Sequence, residues 1–223
     1  MITAVFDLTL SFDNGPTPDV TPSVLDVLAR RGVKSTFFVI GEKLEWPGHR
    51  ALAQRAHAEG HWIGNHTFTH SLPFGLMQPD AAIAEFDRTQ QAIGSLVHPH
   101  RLFRPYGQGG NLDHRLLSRP VVEHLGTRQA TIVLWSALPR DWQDPDGWVE
   151  RALDQIAARS SGWSLMVLHD LPTGAMRHLD RFLRLVAARG GRVRQDFPPD
   201  CTPMIDGRLT QPLDHYLAPV SSA

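Results

Sequence analysis

His66 and His70 stand four residues apart. On a helical turn that spacing puts both imidazoles on one face, where they can hold one metal ion. Zinc proteases use the same spacing with a glutamate between the histidines as general base. Here Thr67, Phe68 and Thr69 intervene, so a base must come from elsewhere. Taken alone, the pair reads as two solvated loop histidines. Asp13, in Phe12-Asp13-Asn14-Gly15-Pro16, supplies a carboxylate able to take a proton from an attacking water, although Asp-Asn-Gly is also ordinary turn chemistry. His169, in Val167-Leu168-His169-Asp170, is placed for general acid work. A lone histidine there is more often a core residue satisfied by backbone.

Two further segments add charge. Arg104, in Phe103-Arg104-Pro105-Tyr106-Gly107, brings a guanidinium that would hold Asp13 ionised and oriented if the two meet. Asp141, next to Trp142, is a carboxylate able to orient His169. For both, the plainer alternative is a surface ion pair or a turn.

The elements that must position these residues follow from hydrophobic period. Ile2 to Phe12 reads as a strand whose second half alternates, ending at the Asp13-Asn14-Gly15-Pro16 turn. Val24 to Leu28 has helical spacing, with Gly32 as stop. Strands are expected at 35–40, 61–65, 102–103, 131–135 and 165–168, with a last one opening at Val193. Helices are expected near 51–59, 83–94, 147–159 and 176–186. Strands alternating with helices imply parallel β/α units. Every polar cluster falls at the C-terminal end of an expected strand, where β/α barrels keep their active sites. The expected architecture is therefore a single α/β domain, a distorted or incomplete (β/α) barrel over 1–196, followed by an irregular tail over 197–223.

Composition narrows the partners. A net charge of −1 gives no basic field for nucleic acid. No apolar run approaches membrane-spanning length. The N-terminus lacks the basic and apolar regions of a signal peptide, so a cytoplasmic protein is expected. The single cysteine, Cys201, cannot form an internal disulfide and reads as a passive thiol.

Five motifs in this order, all at strand ends, resemble the polysaccharide deacetylase family (carbohydrate esterase family 4, the NodB-homology domain). The resemblance runs from about Leu8 to Asp170, with flanking elements to about Val193. It implies a distorted (β/α) barrel, a divalent metal that is usually zinc, and hydrolysis of N-acetyl groups on amino sugars of small carbohydrates or oligosaccharides. By that resemblance Asp13 is the catalytic base and His66 and His70 are metal ligands. Arg104 tethers Asp13, and the Tyr106 backbone N–H helps form an oxyanion hole. Asp141 orients His169, which protonates the leaving amine. Trp142, Val167 and Leu168 wall the pocket for the acyl methyl.

The chain departs from the family pattern at four places. Asn14 stands where the third metal ligand is usually aspartate, so the ligand set leaves about one more unit of positive charge around a divalent ion. Weaker metal binding is expected, with stronger polarisation of any water held there. Arg104-Pro105-Tyr106 is one residue shorter than the common third motif, which puts the Tyr106 assignment in question by one position. Val167 stands where leucine is usual, and Leu138 where many relatives carry a further aspartate. Two other readings compete with the sugar deacetylase: the same barrel acting on an N-formyl or cyclic amide, and a degenerate barrel that binds carbohydrate without cleaving it.

Overall fold

The computed structural model describes residues 5–219. The strand expected from Ile2 starts outside that range. Its described part, β1 (Phe6–Asp13), sets the architecture. Leu8, Leu10 and Phe12 are fully buried against the helices. Thr9, Ser11 and Asp13 alternate with them and are also buried, facing the barrel interior. The alternation in sequence therefore separates two buried faces, one apolar and one polar.

Parallel strands follow: β2 (Thr36–Val39), β3 (Trp62–Asn65), β4 (Leu102–Phe103), β5 (Thr131–Ile132) and β6 (Trp163–His169). β7 is Gly191–Arg194, and β8 (Met204–Ile205) with β9 (Arg208–Leu209) forms a short antiparallel hairpin. The sheet order is β6-β1-β2-β3-β4-β5-β8-β9. The first half of β1 pairs with β7 and its last three residues with β2. Between β5 and β6 there is no ladder. A single bridge, Ala137 to Met166, closes the gap, with the Val167 N–H donating to the Ala137 carbonyl at 3.0 Å. The chain is thus an α/β single domain built as a distorted (β/α) barrel.

The helices are α1 (Thr21–Arg31), α2 (His49–Ala58), α3 (Pro79–Ile93), α4 (Arg119–Thr127), α5 (Trp148–Ala157) and α6 (Leu179–Ala188). Gly32 ends α1 in the left-handed region at φ 64°, and its N–H donates to carbonyls of the last turn. α5 and α6 bury Trp148, Val149, Phe182 and Val186 in the cluster that also holds Leu8, Leu10 and Phe12. No helix among the described residues is long and apolar enough to cross a membrane.

Four expectations need correction. The strand expected over Thr131–Trp135 is only Thr131–Ile132, because the Val133 and Leu134 carbonyls are taken by a buried arginine side chain. His66 and His70 lie on a loop, not on a helical turn, with Thr67 and His70 in the left-handed region at φ 66° and 53°. α4 has no counterpart among the expected helices. Its Val121 and Leu125 form only a two-residue apolar stripe, too short to show a helical period. The tail after Phe197 is not wholly irregular: Met204 pairs antiparallel with Ile132, and Cys201, Met204 and Leu213 are buried. It covers the edge that the short β5 leaves.

Candidate active site

The site is assembled from strand ends. β1 and β6 run in register, so Asp13 lies opposite His169 on neighbouring parallel strands. Arg104, just past β4, is fully buried. Its Nη1 donates to Asp13 Oδ1 at 2.7 Å and to Ser11 Oγ at 2.7 Å. Nε donates to the Val133 carbonyl at 3.1 Å and Nη2 to the Leu134 carbonyl at 3.2 Å. The guanidinium lies 4.0 Å over the Phe38 ring. Every direction around it is filled, as a buried cation requires.

His66 Nδ1 lies 2.8 Å from the Arg104 carbonyl, which can only accept. Nδ1 therefore carries the proton and leaves a lone pair on Nε2, which is 3.5 Å from Asp13 Oδ2. The His70 ring centroid is 4.7 Å from that of His66 and 3.8 Å from that of Tyr106. Burial pushes both imidazoles down, His70 to about 2, so both are neutral and free to donate lone pairs. Glu85, on the buried side of α3, holds their loop in place. Its Oε2 accepts the N–H groups of Phe68 at 2.9 Å and Thr69 at 2.8 Å.

Asn14 sits in the left-handed region at φ 72°, which asparagine tolerates better than most residues. Its side-chain oxygen is buried without a hydrogen-bond partner, while its backbone carbonyl accepts from Lys43 Nζ at 2.6 Å. Among the described residues no group of three or more His, Cys, Asp or Glu is placed to hold a metal ion. A cation site in this cleft would need the amide oxygen of Asn14 beside the two imidazoles. An orphaned acceptor next to two neutral nitrogen donors fits such an ion.

His169 is held on two sides by Asp141. Nδ1 donates to Oδ1 at 2.9 Å, and the backbone N–H donates to Oδ2 at 3.0 Å. The Trp142 ring stands edge-on at 4.6 Å. Burial disfavours the charged imidazole, but the bond to Asp141 and its charge outweigh it, so the net shift is upward. His169 is thus the one cleft histidine held ready as an acid. The cleft has a volume of about 220 Å³. Asp13, Asn14, His66, His70, Tyr106 and His169 supply its polar wall, and Val167, Trp142, Trp135 and Leu138 its apolar wall.

The structure thus gathers Asp13, Asn14, His66, His70, Arg104, Tyr106, Asp141, Trp142, Val167 and His169 at one end of the barrel. Leu168 is the exception. It alternates away from the cleft into the core cluster with Phe12, because successive strand residues face opposite sides. Sequence reasoning missed Ser11, Glu85, Lys43 and Trp135. Ser11 was visible as the polar neighbour of Asp13 on the interior face of β1, and Glu85 as an acidic residue on the apolar side of α3.

A family model for polysaccharide deacetylase matches residues 4–129, more than half of the chain. The chain belongs to the polysaccharide deacetylase family. These are hydrolases of non-peptide carbon–nitrogen bonds. Among this deacetylase's relatives, a chitooligosaccharide deacetylase of Rhizobium leguminosarum bv. trifolii is 35% identical over 161 residues, covering 72% of this chain and 70% of the relative. A peptidoglycan N-acetylglucosamine deacetylase of Listeria monocytogenes is 28% identical, with 82% of this chain matching 36% of that protein. The crystal structure of a peptidoglycan N-acetylglucosamine deacetylase superposes with a TM-score of 0.70 at 25% identity, covering 91% of this chain and 94% of that one.

The buried ion pair yields a first prediction. Arg104→Met leaves the Asp13 carboxylate buried without its cation, and stability should fall by about 3–5 kcal/mol. Urea denaturation reads this directly, and a variant as stable as the parent would show that Asp13 does not depend on Arg104.

Proposed function

We propose that this deacetylase removes N-acetyl groups from amino sugar units of an oligosaccharide, and that it is metal-dependent, with zinc the expected ion. The observation that carries the reading is the pairing of Asp13 and His169 on neighbouring strands at the wall of one cleft, beside two neutral imidazoles and an unpartnered amide oxygen. The names of the relatives supply the substrate class, chitooligosaccharide or peptidoglycan.

His66, His70 and Asn14 would hold a divalent cation, which when bound would supply Lewis acidity to the amide carbonyl and to water. Asp13, aimed by the hydrogen bond from Arg104, takes the proton of the attacking water. The water oxygen bonds to the amide carbon, and the carbonyl becomes an oxyanion. The Tyr106 backbone N–H is the proposed donor to that oxyanion. His169, protonated on both nitrogens, donates from Nε2 to the amide nitrogen as the carbon–nitrogen bond breaks. Acetate and a free amine leave. Trp142 and Val167 form the apolar wall for the acyl methyl and exclude water from it.

The direct test is acetate release from N-acetylglucosamine oligomers by the zinc-loaded protein. Acetate and free amine are expected in equal amounts. Asp13→Asn should lower turnover at least about 100-fold while zinc stays bound, since positioned acid–base groups contribute about 10²–10⁴-fold. Near-parental activity in that variant would remove Asp13 from the role of base.

The second test concerns Asn14. An amide oxygen is a poorer zinc ligand than a carboxylate, so Asn14→Asp should bind zinc more tightly in calorimetric titration. Equal or weaker binding would show that Asn14 does not face the ion.

The third is a pH profile. Because the His169 pKa is raised, its acid form persists above the ordinary histidine range, and kcat/KM should fall only as pH rises through that raised value. Asp141→Asn removes the charge that raises it and should move the alkaline limb to lower pH. A limb that stays in place would mean that another group is the acid.

A further inference from the structure

Asp170 follows His169 directly, yet no step of the proposed reaction uses it. Its side chain is completely buried. One carboxyl oxygen, Oδ2, accepts the hydroxyl of Thr21, the first residue of α1. The other, Oδ1, has no partner. Thr21 Oγ1 in turn accepts the Thr17 N–H at 2.7 Å, which ties the end of the loop after β1 to the same point. Gly15 lies against the carboxyl so closely that a Cβ there would come within 2.2 Å of Oδ2. Only glycine lets the turn and the acid share that space. Lys43 reaches the turn from the other side, through its bond to the Asn14 carbonyl.

The contacts converge on a turn that is costly to hold. A non-glycine residue in the left-handed region is held there by its surroundings. Asn14 is such a residue, and it stands between the base and the glycine that packs on Asp170. We propose that Asp170 is a positioning residue: through Thr21 and Gly15 it fixes the Asp13–Thr17 turn, so that Asp13 faces His169 and the Asn14 amide oxygen faces the two imidazoles. Acid and base are then locked together twice, by the β1–β6 register and by the residue next to the acid gripping the loop next to the base. Burial pushes the Asp170 carboxyl up to about 7, against the bond from Thr21 and the charge of Lys43. A carboxyl near neutrality is closely imitated by an amide, which supplies the conservative variant.

The kcat and zinc arms rest on the proposed reading, but the hydrogen-exchange readout does not. Asp170→Ala should lower kcat about 10- to 100-fold with KM within about threefold, the range seen when residues that orient a site's groups are lost. Zinc affinity should fall in calorimetric titration. Amide hydrogen exchange at Asn14, Gly15 and Thr17 should rise at least about tenfold, with the rest of the barrel unchanged. Asp170→Asn and Thr21→Ser should keep kcat within about threefold, and Thr21→Val should match Asp170→Ala. The Asp170→Ala, Thr21→Val double variant should lose no more than either single one. Unchanged exchange at those three amides in folded Asp170→Ala would overturn the proposal, whether or not the parent cleaves an acetamido sugar. So would a kcat loss that follows only the fraction unfolded.

Discussion

The buried pair between Arg104 and Asp13 is the constraint around which this barrel is arranged. Arg104 is fully enclosed and Asp13 opens only to the cleft, so an uncompensated charge in that position would be expensive. The guanidinium therefore needs acceptors on several sides, and the structure finds them in Ser11, Asp13 and two backbone carbonyls. Those carbonyls belong to the segment after β5. Turned toward Arg104, they do not extend β5, and the seam between β5 and β6 is held by one bridge and by the Ser136 and Ala137 N–H groups donating to the Leu165 carbonyl. The C-terminal hairpin then packs on the short β5 through Met204. The irregularity of the barrel and the orientation of its base have one electrostatic cause.

The same arginine reaches the histidine loop through its main chain. Its carbonyl accepts the His66 Nδ1 proton and thereby fixes which nitrogen faces the cleft. One residue thus orients the base with its side chain and the first imidazole with its backbone. The second imidazole depends on Glu85, whose bonds to two successive N–H groups shape the loop. All three cleft histidines are buried, and their neighbours set them apart. His66 and His70 face one another without a close carboxylate bond of their own and stay neutral, whereas His169, bonded to Asp141, is biased toward the charged form. Lone-pair donors and a proton donor are made from one side-chain type by neighbours alone.

Much of this was legible in the sequence, for identifiable reasons. Long periodic segments announce α5, α6 and β6, and turn residues announce where β1 ends. The pairs Arg104–Asp13 and Asp141–His169 could be proposed because Asp13, Arg104 and His169 stand at strand ends and Asp141 on the loop after another, and barrel topology brings these together. What failed were inferences that needed local backbone geometry. The His66–His70 spacing suggests a helical turn, but two left-handed residues make a loop instead. The apolar run from Ile132 to Trp135 suggests a full strand, but hydrophobicity does not reveal which donor a carbonyl accepts from; the register with β4 ends at Ile132. Leu168 cannot line the pocket with Val167, because adjacent strand residues do not share a face.

Asn14 sets the electrostatics beside the two imidazoles. An aspartate there would bring a negative charge to two neutral imidazoles, and charge alone would draw a cation in. Asparagine brings only a dipole, and Arg104 already offsets the Asp13 carboxylate. The formal charge of the groups lining the ion's position is then close to zero, and affinity must come from geometry. A weak ligand contributes most when its placement costs nothing at the moment of binding. The left-handed turn, the Lys43 bond to the Asn14 carbonyl and the close packing of Gly15 on Asp170 all act before any ligand arrives. On the metal-dependent reading proposed above, preorganisation of that turn would be the means by which an amide in place of a carboxylate could hold an ion, and the loop after β1 is the element that places Asp13 and Asn14 together.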